Sequence, residues 1–324
     1  MSEAPVTLRF REWNGSTVEA LFFRELLGKV THRPIQIVES ISNRVDIEIE
    51  TANPNDTIPS YSTRLHRFIH SHMPNGIDFT GGRNSPNQQP SGNARFRVFW
   101  TGENERPPEG AWDAYLTFDQ HSYGGRNAYL PLWWITSSDL MFPTTSPFLG
   151  KPITIDEMLS PRVPESEKRD KFCVAFIGKA YPFRMHALTA LSKVGKVDVF
   201  GGAARNYAES KFDLSQRYRF VFAFENDLFP GYVTEKAPEA WATGAVPLYW
   251  GSDPAGFLNQ DSLINLANYR NLEEFIGVVQ KVNNSQRLWE SIAAQPLLSK
   301  RPKLDQVIET LRMALSPLVA NNPN

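Results

Sequence analysis

Three groups of residues in this chain have the types and spacing to do chemistry, two of them on an anion. The first is Glu225-Asn226-Asp227, which closes an apolar run and leads through a turn with Pro230 and Gly231 to Tyr232, Glu235 and Lys236. A helix beginning near Thr234 would present N–H groups and a partial positive charge at its start, a natural seat for phosphate. Lys236 in its first turn adds a full positive charge, so Tyr232, Glu235 and Lys236 would crowd one mouth. The second group is GGAARN, residues 201–206, where Gly201 and Gly202 permit close backbone approach and Arg205 extends a guanidinium suited to bidentate phosphate contact. Alone, that pattern is equally a plain turn with a surface arginine. The third is one carboxylate, Glu103 in TGENERPP, with Gly102 before it and prolines behind. Taken by itself it reads as a strand-to-loop turn with an exposed acid.

Each group needs an element to hold it. Residues 220–224 are aromatic and β-branched and predict a buried strand, which would end at Glu225. Thr234 is a candidate N-cap for the next helix, Pro238 suits its first turn, and Gly244 suits the left-handed position that closes it. ARFRVFW predicts the strand that delivers Glu103, and KFCVAFIG the strand before Arg184. Strand-helix alternation runs through both halves of the chain, with the candidate ligand groups at strand ends, where open α/β sheets bind ligands. The expected division is an N-terminal domain over 1–150, a Pro-, Ser- and charge-rich linker over 151–170, and a C-terminal domain over 171–324 with amphipathic terminal helices.

Other candidates are weaker. Asp46, Glu48 and Glu50 alternate along RVDIEIET, the usual pattern of a strand with one solvated face, which is preferred here to a cation site. His66, His70 and His72 lack the intervening glutamate of a helical metal motif and read as a basic exposed face. Residues 73–93 are rich in Gly, Pro, Asn and Gln, a long loop that is either mobile or a lid. Trp13, Trp112, Trp133 and Trp134 are expected in the core more readily than as a sugar platform.

Composition excludes several classes. With 34 basic and 35 acidic residues and a net charge of -1, no global field recruits nucleic acid or a membrane surface. The single cysteine, Cys173, rules out an intramolecular disulfide framework and sits in an apolar run as a buried structural thiol. MSEAPVTLRF has neither a basic start nor an apolar core, and no run is long enough to span a bilayer. A soluble, cytoplasmic protein is the expectation.

FEN followed by GYVTEK, a helix and VPLYWG resembles the donor-binding signature of the α1,3/α1,4-fucosyltransferases, inverting enzymes that use GDP-fucose. The resemblance covers residues 97–266, and the absence of an N-terminal anchor makes the chain similar to the soluble bacterial members. Leucine-rich heptads and a basic tail, found in some of those members, are absent, so no tether at the chain end is expected.

That family implies the α/β architecture called GT-B, two Rossmann-like domains facing across a cleft, the donor in the second and the acceptor in the first. It implies Glu103 as the general base, and Arg205 with Arg184 on the diphosphate. Glu235 would stabilise the fucose ring, and Asn226, Tyr232 and Lys236 complete the donor set, while Glu225 is read as structural. No DxD follows a strand, so protein cations are expected to serve without a metal cofactor. The implied partners are GDP-fucose and a glycan bearing N-acetylglucosamine. A sugar-nucleotide-binding protein without activity and a transferase of another GDP-hexose are the alternatives.

Overall fold

The computed structural model describes residues 4–11, 17–39, 44–51, 83–84, 93–107, 112–146 and 149–319. The chain forms two compact units, dividing between Thr144 and Thr145 and again between Arg301 and Pro302. The first sheet contains β1 (Val6–Arg11), β2 (Ile35–Ile37), β3 (Val45–Glu50), β5 (Ala94–Trp100), β7 (Ala114–Thr117) and β8 (Asn127–Tyr129), in the order β2-β1-β3-β5-β7-β8. A separate pair joins β4 (Arg83–Asn84) and β6 (Glu105–Arg106). The second sheet contains β9 (Lys171–Phe176), β10 (Val197–Phe200), β11 (Tyr218–Phe224), β12 (Val246–Trp250) and β13 (Ile264–Asn265), in the order β10-β9-β11-β12-β13. Every pairing in both sheets is parallel.

Helices cover the sheets, as parallel strands require. In the first unit these are α1 (Thr17–Thr31) and α2 (Leu132–Thr136). In the second they are α3 (Ile155–Leu159), α4 (Pro182–Leu191), α5 (Lys211–Ser215), α6 (Lys236–Ala242), α7 (Leu272–Asn283) and α8 (Gln286–Ala293). The last helix, α9 (Asp305–Ala314), packs on α1, β7 and β8, so the chain from Pro302 belongs with the first unit and not, as its position suggested, with the second. Its apolar stripe of Val307 and Leu311 is buried there. In the second unit Phe220, Phe222 and Phe224 of β11 join Phe183, Trp250, Phe275 and Trp289 in one core.

Residues 151–170 are not a linker. Ile153, Ile155 and Met158 are buried, and Thr154 closes a capping box with Glu157, so apolar residues among the charges fix this stretch to the second unit. The acidic face of β3 is not solvated either. Register sets Glu48 between Arg9 and Arg97 on the flanking strands. Arg9 Nε donates to Glu48 at 2.8 Å and Arg97 Nη2 to Glu50 at 2.8 Å, both carboxylates fully buried. Alternation was correct, but cross-strand arginines let the face be covered. Burial raises the Glu50 carboxyl above its ordinary range, against Arg97.

Trp112, Trp133 and Trp134 are buried, and Cys173 is a buried thiol whose pKa burial pushes up. Trp13, the three histidines of 66–72 and most of 73–93 lie outside the described residues. No described helix is long and apolar enough to cross a membrane.

Candidate active site

In the second sheet the chain passes from β9 outward to β10, then returns to place β11 on the other side of β9. The crevice beyond the C-terminal ends of β9 and β11 is therefore a topological switch point, the usual ligand site of such sheets. Arg184 reaches it from the first turn of α4 after β9, and Asn226 from the end of β11. The two meet there: Arg184 Nη1 donates to Asn226 Oδ1 at 2.9 Å, with the arginine 4% exposed. Desolvation lowers the pKa of this guanidinium, and Glu225 and Glu235 oppose it; a guanidinium stays charged through such a shift.

Glu225 organises the mouth. Its carboxylate is fully buried and accepts from Thr234 N at 2.8 Å, Thr234 Oγ1 at 2.6 Å and Tyr249 Oη at 3.2 Å. Lys236 Nζ lies 3.2 Å from the same carboxylate and donates to Thr234 Oγ1 at 2.8 Å. Burial raises the Glu225 pKa and Lys236 lowers it again. Thr234 thus binds this buried acid, and the N-cap of α6 is Glu235, which makes no side-chain cap. The N-cap falls one residue later than expected because the hydroxyl is engaged elsewhere. Gly244, at φ 85°, follows the C-cap Thr243 as expected. Lys236 Nζ is also 3.6 Å from Glu235, and Tyr232 is buried in the turn before them.

A pocket opens beside these groups, lined by Arg184, Lys211, Glu235, Lys236 and Glu239 above a floor of Phe176 and Val221–Ala223. Glu239 stands one turn along α6 from Glu235 and accepts a hydrogen bond from Ser146. Burial first, and then the charge of Glu235, push its carboxyl up to about 8. Sequence reading passed over Glu239 and Lys211. The spacing of Glu235 and Glu239, four apart on a helix, was the available signal for the first; Lys211 had none.

Arg205 is placed differently from the others. It is exposed, at φ 51°, and its side chain makes no hydrogen bond or ion pair among the described residues. The glycines before it are needed for the fold: a Cβ on Gly201 would lie 2.7 Å from the Ile177 carbonyl oxygen, and one on Gly202 2.9 Å from that of Gly178. The two loops are laced together, with Ala203 N donating to Ile177 O at 3.0 Å. Close approach, predicted for a ligand, is here between two strand ends.

Glu103 belongs to the first unit. It is exposed past the end of β5, and its N–H donates to Thr101 Oγ1 at 3.1 Å. The space left by Gly102 is taken by Leu132, which would stand 3.2 Å from a Cβ.

Residues 166–292, which hold Arg184, Arg205, Asn226, Tyr232, Glu235 and Lys236, match the sequence model of the glycosyltransferase family 10 (fucosyltransferase) C-terminal region. That match lies within the second unit. An α-(1,3)-fucosyltransferase of Helicobacter pylori is 27% identical over 217 residues, 60% of this chain and 45% of the relative. A fucosyltransferase-like protein of Arabidopsis thaliana is 38% identical over 100 residues, 29% of this chain and 19% of the relative. The chain thus matches less than half the length of these curated relatives. Among solved structures, an α1,3-fucosyltransferase with GDP superposes at a TM-score of 0.65 with 19% identity, covering 98% of this chain and 93% of that one. The same fold solved with GDP-fucose gives 0.65 at 19% identity, covering 100% and 93%. The chain therefore shares the GT-B fold of those structures.

Proposed function

We propose that the protein transfers L-fucose from GDP-fucose to the 3-hydroxyl of N-acetylglucosamine in a glycan, with inversion. One observation carries the reading: within the stretch that matches family 10, Arg184, Asn226, Glu235 and Lys236 gather at the switch point around one buried carboxylate. Cations there suit a diphosphate, whose negative charge grows as the glycosidic bond breaks. Arg184, Arg205 and Lys236 would stabilise it, Glu235 would face the cationic sugar ring and its hydroxyls, and Asn226 and Tyr232 would position the nucleotide sugar. Glu103 would take the proton from the acceptor hydroxyl as it attacks, a role that needs a carboxylate within about 3 Å of that oxygen.

The test is transfer itself. Glu103→Gln is expected to lower the rate of fucose transfer by about 100-fold or more while GDP affinity, read by calorimetry, stays near that of the wild type. A large loss of GDP affinity in this variant would show that the carboxylate serves the donor and not the acceptor.

A further inference from the structure

The donor chemistry leaves unused a cluster at the edge of the first sheet, beside Glu103. β5 and β7 are parallel neighbours with Phe99 opposite Tyr115 and Trp100 opposite Leu116. Past their ends the chain makes the same turn twice. Glu103 N donates to Thr101 Oγ1 at 3.1 Å, and Asp119 N to Thr117 Oγ1 at 3.2 Å. The Glu103 loop and the Asp119 loop therefore leave one edge of one sheet, one strand spacing apart, roughly 4.8 Å.

Asp119 is buried, and its carboxylate organises the loop that runs on to Arg126. It accepts from the His121 N–H and from Tyr123 Oη, the latter at 2.7 Å. The Tyr123 N–H donates to His121 Nδ1 at 3.1 Å, which leaves the proton of a neutral imidazole on Nε2. The rings of His121 and Tyr123 are 4.7 Å apart, and Tyr123 stacks on the buried Tyr115 at 4.9 Å and 23°. Arg126 adds a guanidinium over the Tyr115 ring, 5.5 Å from its centroid. The loop takes a costly backbone to do this: Tyr123 has φ 46°, followed by Gly124 at 70° and Gly125 at 80°. A bulky residue seldom adopts that conformation, and such strain collects where a side chain must be presented.

The geometry points to His121 and Tyr123 as the platform for the acceptor sugar. A pyranoside would lay its apolar face against the exposed His121 and the edge of Tyr123, with the His121 Nε2 proton donated to a ring hydroxyl. Asp119 is a positioning residue that fixes both. This inference rests on the fucosyl-transfer reading and adds the acceptor subsite to it.

Transfer from GDP-fucose to N-acetyllactosamine and calorimetric GDP binding, measured for the wild type, His121→Gln and Tyr123→Gly, test it. Glycine suits φ 46° better than tyrosine does, which offsets only part of the lost Tyr115 stacking and Asp119 hydrogen bond, so His121→Gln, which leaves both in place, is the variant expected to keep its thermal midpoint. Both variants should raise the acceptor KM about tenfold, the scale of one lost hydrogen bond or ring contact, with GDP affinity within about twofold of the wild type. An acceptor KM within about twofold of the wild type in both variants overturns the platform. Wild-type protein that binds GDP yet moves no fucose to N-acetyllactosamine overturns the assigned ligand. Wild-type protein that neither binds GDP nor transfers fucose overturns instead the reading on which this inference rests.

Discussion

At the mouth of the second sheet a cation is held by an anion that water does not reach: Lys236 Nζ lies 3.2 Å from the fully buried Glu225. The pairing fixes the ammonium where a phosphate would arrive, and Thr234 ties both to the backbone. Arg205 has no such support, being exposed in a laced but open turn. Arg205→Ala is therefore expected to leave the fold intact and weaken GDP binding by about tenfold to a hundredfold, the scale of a charge-assisted contact, as titration calorimetry would show. Lys236, Glu235, Asn226 and Tyr232 were legible in the sequence because they form one contiguous motif. Glu225 was read as structural, but its partners were not legible, because Thr234, Lys236 and Tyr249 come from two different elements.

On α6 the two carboxylates Glu235 and Glu239 share one face, and burial with that neighbouring charge pushes Glu239 up to about 8. Between the ordinary carboxylate range and that value, the folded chain keeps a proton that the unfolded chain has lost. Its contribution to stability is then full in mild acid and declines as pH rises through the window. Glu239→Gln removes the titration, so its thermal midpoint should fall less between pH 5 and pH 8 than that of the wild type. The difference should be on the order of 2 °C, since the group is only half-buried. The turn after β10 makes a second prediction. Gly201→Ala would drive a methyl group to 2.7 Å from the Ile177 carbonyl at φ 103° and should destabilise the protein by about 1–3 kcal/mol in urea melts. Sequence periodicity located β11 and α6 within two residues of their observed starts. It failed on β3, because alternation says that two faces differ without saying what covers the second, and Arg9 and Arg97 stand far from Glu48 and Glu50 in sequence.

Across the whole molecule, two parallel sheets with the candidate site residues past strand ends were legible from the rhythm of strands and helices, and the first division of the chain lies at 144–145. A terminal helix packing back across the boundary was consistent with the sequence, but an amphipathic helix announces a buried face and not its partner, so α1, β7 and β8 were not named. With protein cations assigned to the diphosphate, fucose transfer is expected to persist after EDTA treatment, and loss of activity that manganese restores would refute that assignment. The placement of α9 also bears on how the chain is made. Thr145–Arg301 is complete in the nascent polypeptide while α1, β7 and β8 still await the helix that covers them. Within this stretch of chain the first unit is therefore opened before the second is made and closed only after it.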